Sequence, residues 1–229
     1  LGQGLEQVLK PRLETHHLMP GRPVVRDEAR EDAEKPTGKN PLLEVRNLSI
    51  NYINEGKPPA RAVENISFSL NEGELIGLVG ESGCGKTTLM LALLRLLPSA
   101  GQIVNGRVFF NGTDLTALSE EEINAVRWKD ISIVFQGAMN ALNPVRTVGD
   151  QIQEAIIKHL PGFPRDQRLQ ERVVELLDLV GIAADHKNHY PHQYSGGMRQ
   201  RAMIAMALAC NPQVIIADEP TTALDVMIQ

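Results

Sequence analysis

The sequence predicts an α/β fold built around a phosphate-binding loop, and three observations predict it. A short, wholly apolar run, Leu75–Val79, leads straight into Gly80-Glu81-Ser82-Gly83-Cys84-Gly85-Lys86-Thr87. A second apolar run, Ile131–Phe135, has the character of another buried strand. A third, Val214–Ala217, ends in the paired carboxylates Asp218-Glu219. In a parallel α/β sheet, ligands gather at the carboxyl ends of strands, where both motifs fall.

The elements can be justified in order. Residues 1–40 hold His16–His17, several prolines and the mixed-charge run Arg26–Lys35, with little apolar periodicity, and are expected to form a flexible extension. Regular structure begins near residue 41. Leu43–Tyr52 and Ala62–Leu70 alternate as strands, with Gly56–Pro59 as their turn. Leu75–Val79 is expected to be a buried strand, and Thr87–Leu97 a helix. Arg107–Phe110 ahead of Asn111-Gly112 predicts a hairpin. Ser119–Trp128 predicts a helix with Ser119 and Glu122 as a capping box. Residues 145–190 are expected to be mostly helical, broken at Pro161, Gly162 and Pro164. Gly197–Cys210 predicts a helix capped by Ser195 and stopped by Asn211-Pro212.

Composition narrows the function. With 229 residues, 42% hydrophobic and 22% charged, the chain suffices for one large α/β domain or two small ones. A net charge of −5 and only 4% aromatics argue against a nucleic-acid partner. Two cysteines, Cys84 and Cys210, make no disulfide framework and suit a reducing cytoplasm. Apolar runs such as Leu89–Leu94 and Ala202–Ala209 fall far short of the roughly 20 residues that span a bilayer, so any membrane role is expected to be peripheral.

The loop at 80–87 fits G-x-x-x-x-G-K-[ST]. Its glycines let backbone amides turn inward on phosphate oxygens, and the following helix adds its dipole. Lys86 is placed for the β- and γ-phosphates, Thr87 for Mg²⁺ and Thr88 for the α-phosphate, while Ser82 and Cys84 occupy the variable loop positions. Asp218 suits Mg²⁺, and Glu219 suits a general base that polarises the attacking water. Tyr194-Ser195-Gly196-Gly197-Met198 opens a second helix, a further start able to bind an anion. His186, His189 and His192 recur every three residues, but without an enclosed ligand set they are expected to lie in a solvated loop.

The order of Gly80–Thr87, Tyr194–Gln200 and Ile215–Glu219 resembles the ATP-binding subunit of an ABC transporter. The resemblance implies the P-loop NTPase fold of an ABC ATPase: a mixed sheet, an antiparallel β subdomain and an inserted helical subdomain at about 140–195. Tyr194-Ser-Gly-Gly-Met then matches the family signature, usually Leu-Ser-Gly-Gly-Gln, so that Ser195, Gly196 and Gly197 close on the γ-phosphate held by a second subunit. Gln136 resembles the Q-loop glutamine, which contacts Mg²⁺ or water and senses the transmembrane partner. Asp225, in Ala223-Leu224-Asp225, resembles the D-loop, and Tyr52, ending a strand before the phosphate loop, resembles the family's aromatic that stacks on adenine. The family's switch histidine lies beyond that loop, which the sequence does not reach, so the cassette is expected to be C-terminally truncated.

Gln136-Gly-Ala-Met-Asn-Ala-Leu-Asn143-Pro144, Pro191-His-Gln-Tyr-Ser-Gly-Gly-Met-Arg-Gln-Arg and Asp218-Glu-Pro-Thr-Thr-Ala-Leu-Asp-Val226 resemble the oligopeptide, dipeptide and nickel importer group. The implied partners are ATP, a second ATPase subunit, identical or not, and transmembrane permease subunits contacted near Met139–Val145. An extracytoplasmic solute-binding protein is implied indirectly, and the implied location is the cytoplasmic face of the membrane. Two other readings stand beside it: a soluble ABC ATPase outside transport, and a nucleotide-binding regulator that does not hydrolyse. The roughly one hundred residues between Lys86 and Ser195 lack the long heptads of the DNA-maintenance type. Glu219 argues against the regulator for the intact protein, and the missing switch histidine argues for it in a truncated cassette.

Overall fold

A computed structural model describes residues 41–135 and 141–219. The flexible extension expected at 1–40 lies outside the described residues, as do Gln136 and Asp225. The chain divides after Ile123 into two compact units.

The first unit is built on an antiparallel sheet. β1 (Leu43–Tyr52) pairs with β2 (Ala60–Leu70) on one side and β3 (Gly101–Phe110) on the other, and β3 pairs with β4 (Thr113–Asp114). The expected turn at Gly56–Pro59 joins β1 to β2. Asn111 and Gly112, both at positive φ (47° and 78°), make the hairpin between β3 and β4. That is the backbone a tight hairpin requires.

The apolar pattern of β1 contains a slip. Leu43 and Val45 face the core, and so do Leu48 and Ile50, yet period-2 alternation would send one pair outward. A bulge restores the pattern: the pairing shifts between Val45 and Leu48, and Asn47 sits at φ 48°. Ser67 holds the bulge, its Oγ accepting from the Asn47 amide at 2.7 Å. Opposite it, Gly106 has φ 88°, and a Cβ there would lie 2.5 Å from the carbonyl oxygens of Arg46 and Asn47. Only glycine allows that approach.

The expected strand at Leu75–Val79 does not form. The run is irregular, and Leu75 and Val79 are 97% and 96% exposed. A strand takes its hydrogen bonds from neighbours, and among the described residues no strand pairs with this one. The helix that follows, α1 (Lys86–Leu93), is shorter than Thr87–Leu97. Arg95 turns left-handed at φ 53°, and the Leu96 amide donates back to the Leu91 carbonyl at 2.8 Å. Arg95 is drawn there because its guanidinium bonds the Leu118 carbonyl and pairs with Glu120 at 3.0 Å. α2 (Glu120–Val126) carries the expected capping box: the Ser119 amide donates to Glu122 Oε2 at 2.7 Å and the Glu122 amide to Ser119 Oγ at 3.3 Å. The Ser119 amide and, second to it, the Ser119 hydroxyl at 2.8 Å donate to the Glu122 carboxylate and hold it below its usual pKa.

In the second unit β5 (Ile131–Val134) and β6 (Val214–Ala217) pair in parallel, with Ile131 opposite Val214 and Val134 opposite Ala217. Among the described residues it also holds the α-helices α3 (Val148–His159), α4 (Gln167–Leu179) and α5 (Gly196–Ala207). Each is N-capped by a short oxygen-bearing side chain, Thr147, Asp166 and Ser195. α3 buries Val148, Ile152, Ala155 and Ile156, spaced along one face. α4 buries Leu169, Val173, Leu176 and Leu177, and these pack with Ala202, Met203 and Ala205 of α5 in one cluster. No helix among the described residues is long and apolar enough to cross a membrane.

Leu176 is fully buried in that cluster. Leu176→Ala removes its methyl groups and leaves a void, and is expected to cost about 2–5 kcal/mol. Urea unfolding followed by far-UV circular dichroism measures the loss.

Candidate functional site

In the first unit, the loop at 80–87 is held by close approach as much as by sequence. Gly85 caps α1 at φ 96°, and a Cβ there would sit 2.3 Å from the Ala62 carbonyl oxygen of β2. A side chain at 85 would have to displace the sheet. Gly83 has φ 83°, and a Cβ on Gly80 would meet Cys84 Sγ at 2.6 Å. The Lys86 ammonium folds back over the loop, donating to the Gly80 carbonyl at 2.7 Å and the Glu81 carbonyl at 2.8 Å. The helical ladder begins with the Leu89 amide on the Gly85 carbonyl, 2.8 Å. The amides ahead of it form the positive end of α1. Ser82, Gly83, Cys84 and Thr87 are exposed, so an anion can reach this end from solvent.

Tyr52 is tied to the same place. Its hydroxyl lies 3.1 Å from Thr88 Oγ1, and a Cβ on Gly101 would be 3.2 Å from its ring. The half-buried ring therefore stands beside the first turn of α1.

In the second unit, the ladder of β5 and β6 extends one residue past β6, the Asp218 amide donating to the Val134 carbonyl at 2.9 Å. Asp218 is buried, at 4% exposure. Glu219 is exposed and takes φ 48°, a left-handed backbone uncommon for glutamate. The strand end thus offers one shielded carboxylate and one open to water.

The turn at 194–198 belongs to this unit as well. Ser195 is the N-cap of α5, its Oγ accepting from the Met198 amide at 3.2 Å. A hydroxyl that accepts there keeps its proton to donate elsewhere. Gly196 and Gly197 lead the helix, one residue earlier than expected.

Tyr194 proves to be a core residue. It is 3% exposed, and its hydroxyl donates to the His186 carbonyl at 2.9 Å. Burial, reinforced by the Asp185 charge, pushes its pKa up to about 12, so it remains a donor at ordinary pH. The three histidines, expected in a solvated loop, lie on short helical turns, Ala184–Asn188 and Pro191–Gln193, with a connecting bend. The His186 ring meets those of Tyr194 and His189 edge-on, with centroids 6.0 and 4.9 Å away. Among the described residues no group of three or more His, Cys, Asp or Glu could hold a metal ion.

The sequence reading missed Gln151, a buried amide on the apolar face of α3. It accepts from the Asn143 amide at 2.8 Å and donates to the carbonyls of Asn143 and Arg146 at 3.1 Å. It thereby fixes the segment 143–147, whose Val145 is 77% exposed. A polar residue one turn from Val148 and Ala155, on their side of the helix, was the available signal.

A family model described as ABC transporter matches residues 63–222. The chain belongs to the ABC transporter family. It is 49% identical over 191 residues to a probable peptide ABC transporter ATP-binding protein of Sinorhizobium fredii, covering 82% of this chain and 56% of that one. It is 46% identical over 191 residues to the dipeptide transport ATP-binding protein DppD of Bacillus subtilis, covering 82% and 56%. With the oligopeptide transport ATP-binding protein OppD of the same organism the figures are 47%, 82% and 52%. The chain thus spans about half the length of the curated relatives it matches. Among solved structures it resembles a dimeric ATP-binding cassette in a post-hydrolysis state bound to ADP and Pi, with TM-score 0.72 and 31% identity over 81% of this chain and 77% of that one. An α/β ABC cassette is therefore the fold, as the motifs implied.

The two thiols give a direct check on this geometry. Cys84 is exposed, whereas Cys210 is buried and its thiol is pushed up to about 11 mainly by burial. A maleimide at neutral pH is expected to modify Cys84 and spare Cys210 in the folded protein. Peptide mass spectrometry reads the two sites, and equal modification would contradict the burial of Cys210.

Proposed function

We propose that this chain is the ATP-binding and ATP-hydrolysing part of a subunit that powers uptake of peptides, or a related small solute, through a membrane transporter. The observation that carries this reading is the loop Gly80–Thr87, folded as a glycine-bound cap on α1 with Lys86 turned into it. The peptide, dipeptide and oligopeptide transport roles of its relatives support uptake over a soluble ABC ATPase.

In this reading the loop amides and Lys86 hold the β- and γ-phosphates, Thr88 the α-phosphate, and Tyr52 the base. Asp225 and Gln136 take the D-loop and Q-loop roles. Thr87, Gln136 and Asp218 are the residues whose hard oxygen donors suit Mg²⁺. That ion, when bound, supplies charge neutralisation on the phosphates. Glu219, open to water, polarises the attacking molecule. Ser195 donates its free proton, and Gly196 and Gly197 their leading amides, to the γ-phosphate of ATP on a second subunit. A likeness to a cassette solved as a dimer supports that pairing. Permease subunits near Met139–Val145 and, through them, an extracytoplasmic binding protein complete the assembly, with this subunit peripheral on the cytoplasmic side. Residues 41–229 form its ABC domain, with a helical subdomain at about 140–195.

Two substitutions in the full-length subunit test the reading. Lys86→Ala is expected to abolish ATP binding, measured by equilibrium dialysis or fluorescence of an ATP analogue; unchanged affinity defeats the loop assignment. Glu219→Gln is expected to lower turnover by at least about a hundredfold while ATP-dependent dimers accumulate on size exclusion. Normal phosphate release by that variant removes Glu219 as the base.

A further inference from the structure

We propose that Tyr194 is a positioning residue for Ser195, the end of a strut that ties the serine to the start of α3. The proposal rests on the reading that Ser195 meets the phosphate of a second subunit's ATP.

The strut can be followed bond by bond within the second unit. At its far end Gly149, in the first turn of α3, lies so close to Lys187 that a Cβ would stand 2.7 Å from the Lys187 carbonyl oxygen. Beside it the Val148 amide donates to the His189 carbonyl at 3.0 Å. The turn Ala184–Asn188 is therefore seated directly on the first turn of α3. At its near end the His186 carbonyl accepts the Tyr194 hydroxyl at 2.9 Å, and the His186 ring packs edge-on against the Tyr194 ring. Tyr194 precedes Ser195 directly, so the torsions that aim the serine start from a residue fixed at its backbone and at its phenol tip. The α5 cap fixes the other side of Ser195 through Met198.

The hydroxyl gives Tyr194 a task that packing alone does not require. A leucine or phenylalanine would fill the apolar cluster, but neither could bond the His186 carbonyl. Burial keeps the phenol protonated, so the bond persists across ordinary pH. Gln151 clamps residues 143–147 just before α3, so a shift of that segment reaches Gly149 through the same helix start. Movement at 143–148 is thereby passed to Ser195 by hydrogen bonds and a backbone contact, through a contiguous path.

The test uses the full-length subunit and two quantities: the ATP concentration giving half-maximal dimer closure, and the ATP affinity of the monomer. Tyr194→Phe keeps the ring and removes one hydrogen bond. It is expected to raise the closure concentration about three- to tenfold with monomer affinity unchanged. Gly149→Ala, pushing on Lys187 from the far end, is expected to move closure in the same direction. Ser195→Ala is expected to weaken closure at least as much, and adding Tyr194→Phe to it is expected to do nothing further. Wild-type closure in Tyr194→Phe, alongside a weakened Ser195→Ala, overturns the positioning role and leaves the reading of Ser195 standing. Multiplying effects in the double variant also overturn it, because they show Tyr194 acting independently of the serine. Wild-type closure in Ser195→Ala overturns the reading of Ser195 itself, and the strut with it.

Discussion

The leading amides of an α-helix have no partner inside the helix, and much of this molecule is arranged around that constraint. α1 meets it with a glycine in a left-handed cap, Gly85, pressed against the Ala62 carbonyl so closely that no side chain fits. α5 meets it with Ser195, whose oxygen takes the Met198 amide and leaves two glycines at the helix front. Both solutions keep the backbone bare where negative charge can approach. The caps on α3 and α4, by Thr147 and Asp166, use ordinary side chains, and the glycine in the first turn of α3, Gly149, is buried against the Lys187 carbonyl.

A second theme is the use of buried polar groups to hold irregular backbone in place. Gln151 spends both ends of its amide on the segment 143–147, and Tyr194 spends its hydroxyl on the His186 carbonyl. Each group is buried, so leaving it unpaired would cost more than the bond itself contributes. Arg95 acts similarly in the first unit, where its bonds to Leu118 and Glu120 end α1 within an apolar run that carries no stop signal of its own.

Much of this was legible in the sequence where the signal was local. The ends of β1, the hairpin at Asn111-Gly112, the capping box of Ser119 and Glu122, and the cap at Ser195 depend on residues within a few positions of one another. The carboxylates after β6 were legible because an apolar strand has few ways to end. Less legible were features set by distant neighbours. The bulge at Asn47 needs Ser67 and Gly106, and Tyr194 needs the turn at His186. The run Leu75–Val79 shows the reverse case: its composition suits a strand, but composition supplies no partner, and among the described residues it has no ladder.

The sequence alone determined the glycine-rich loop ahead of α1, the acidic strand end, the Ser-Gly-Gly helix start and, through their order, the family. These are short motifs whose chemistry resides in residue type and spacing. The tertiary structure decided which groups are buried: Asp218 shielded beside an exposed Glu219, and Tyr194 sunk into the helical core while Ser195 stays at the surface. It also decided that Lys86 lies across its own loop and that Gly149 abuts Lys187. The physical reason is that burial and close approach are properties of chain segments brought together from far apart. No window of sequence contains both sides of such a contact.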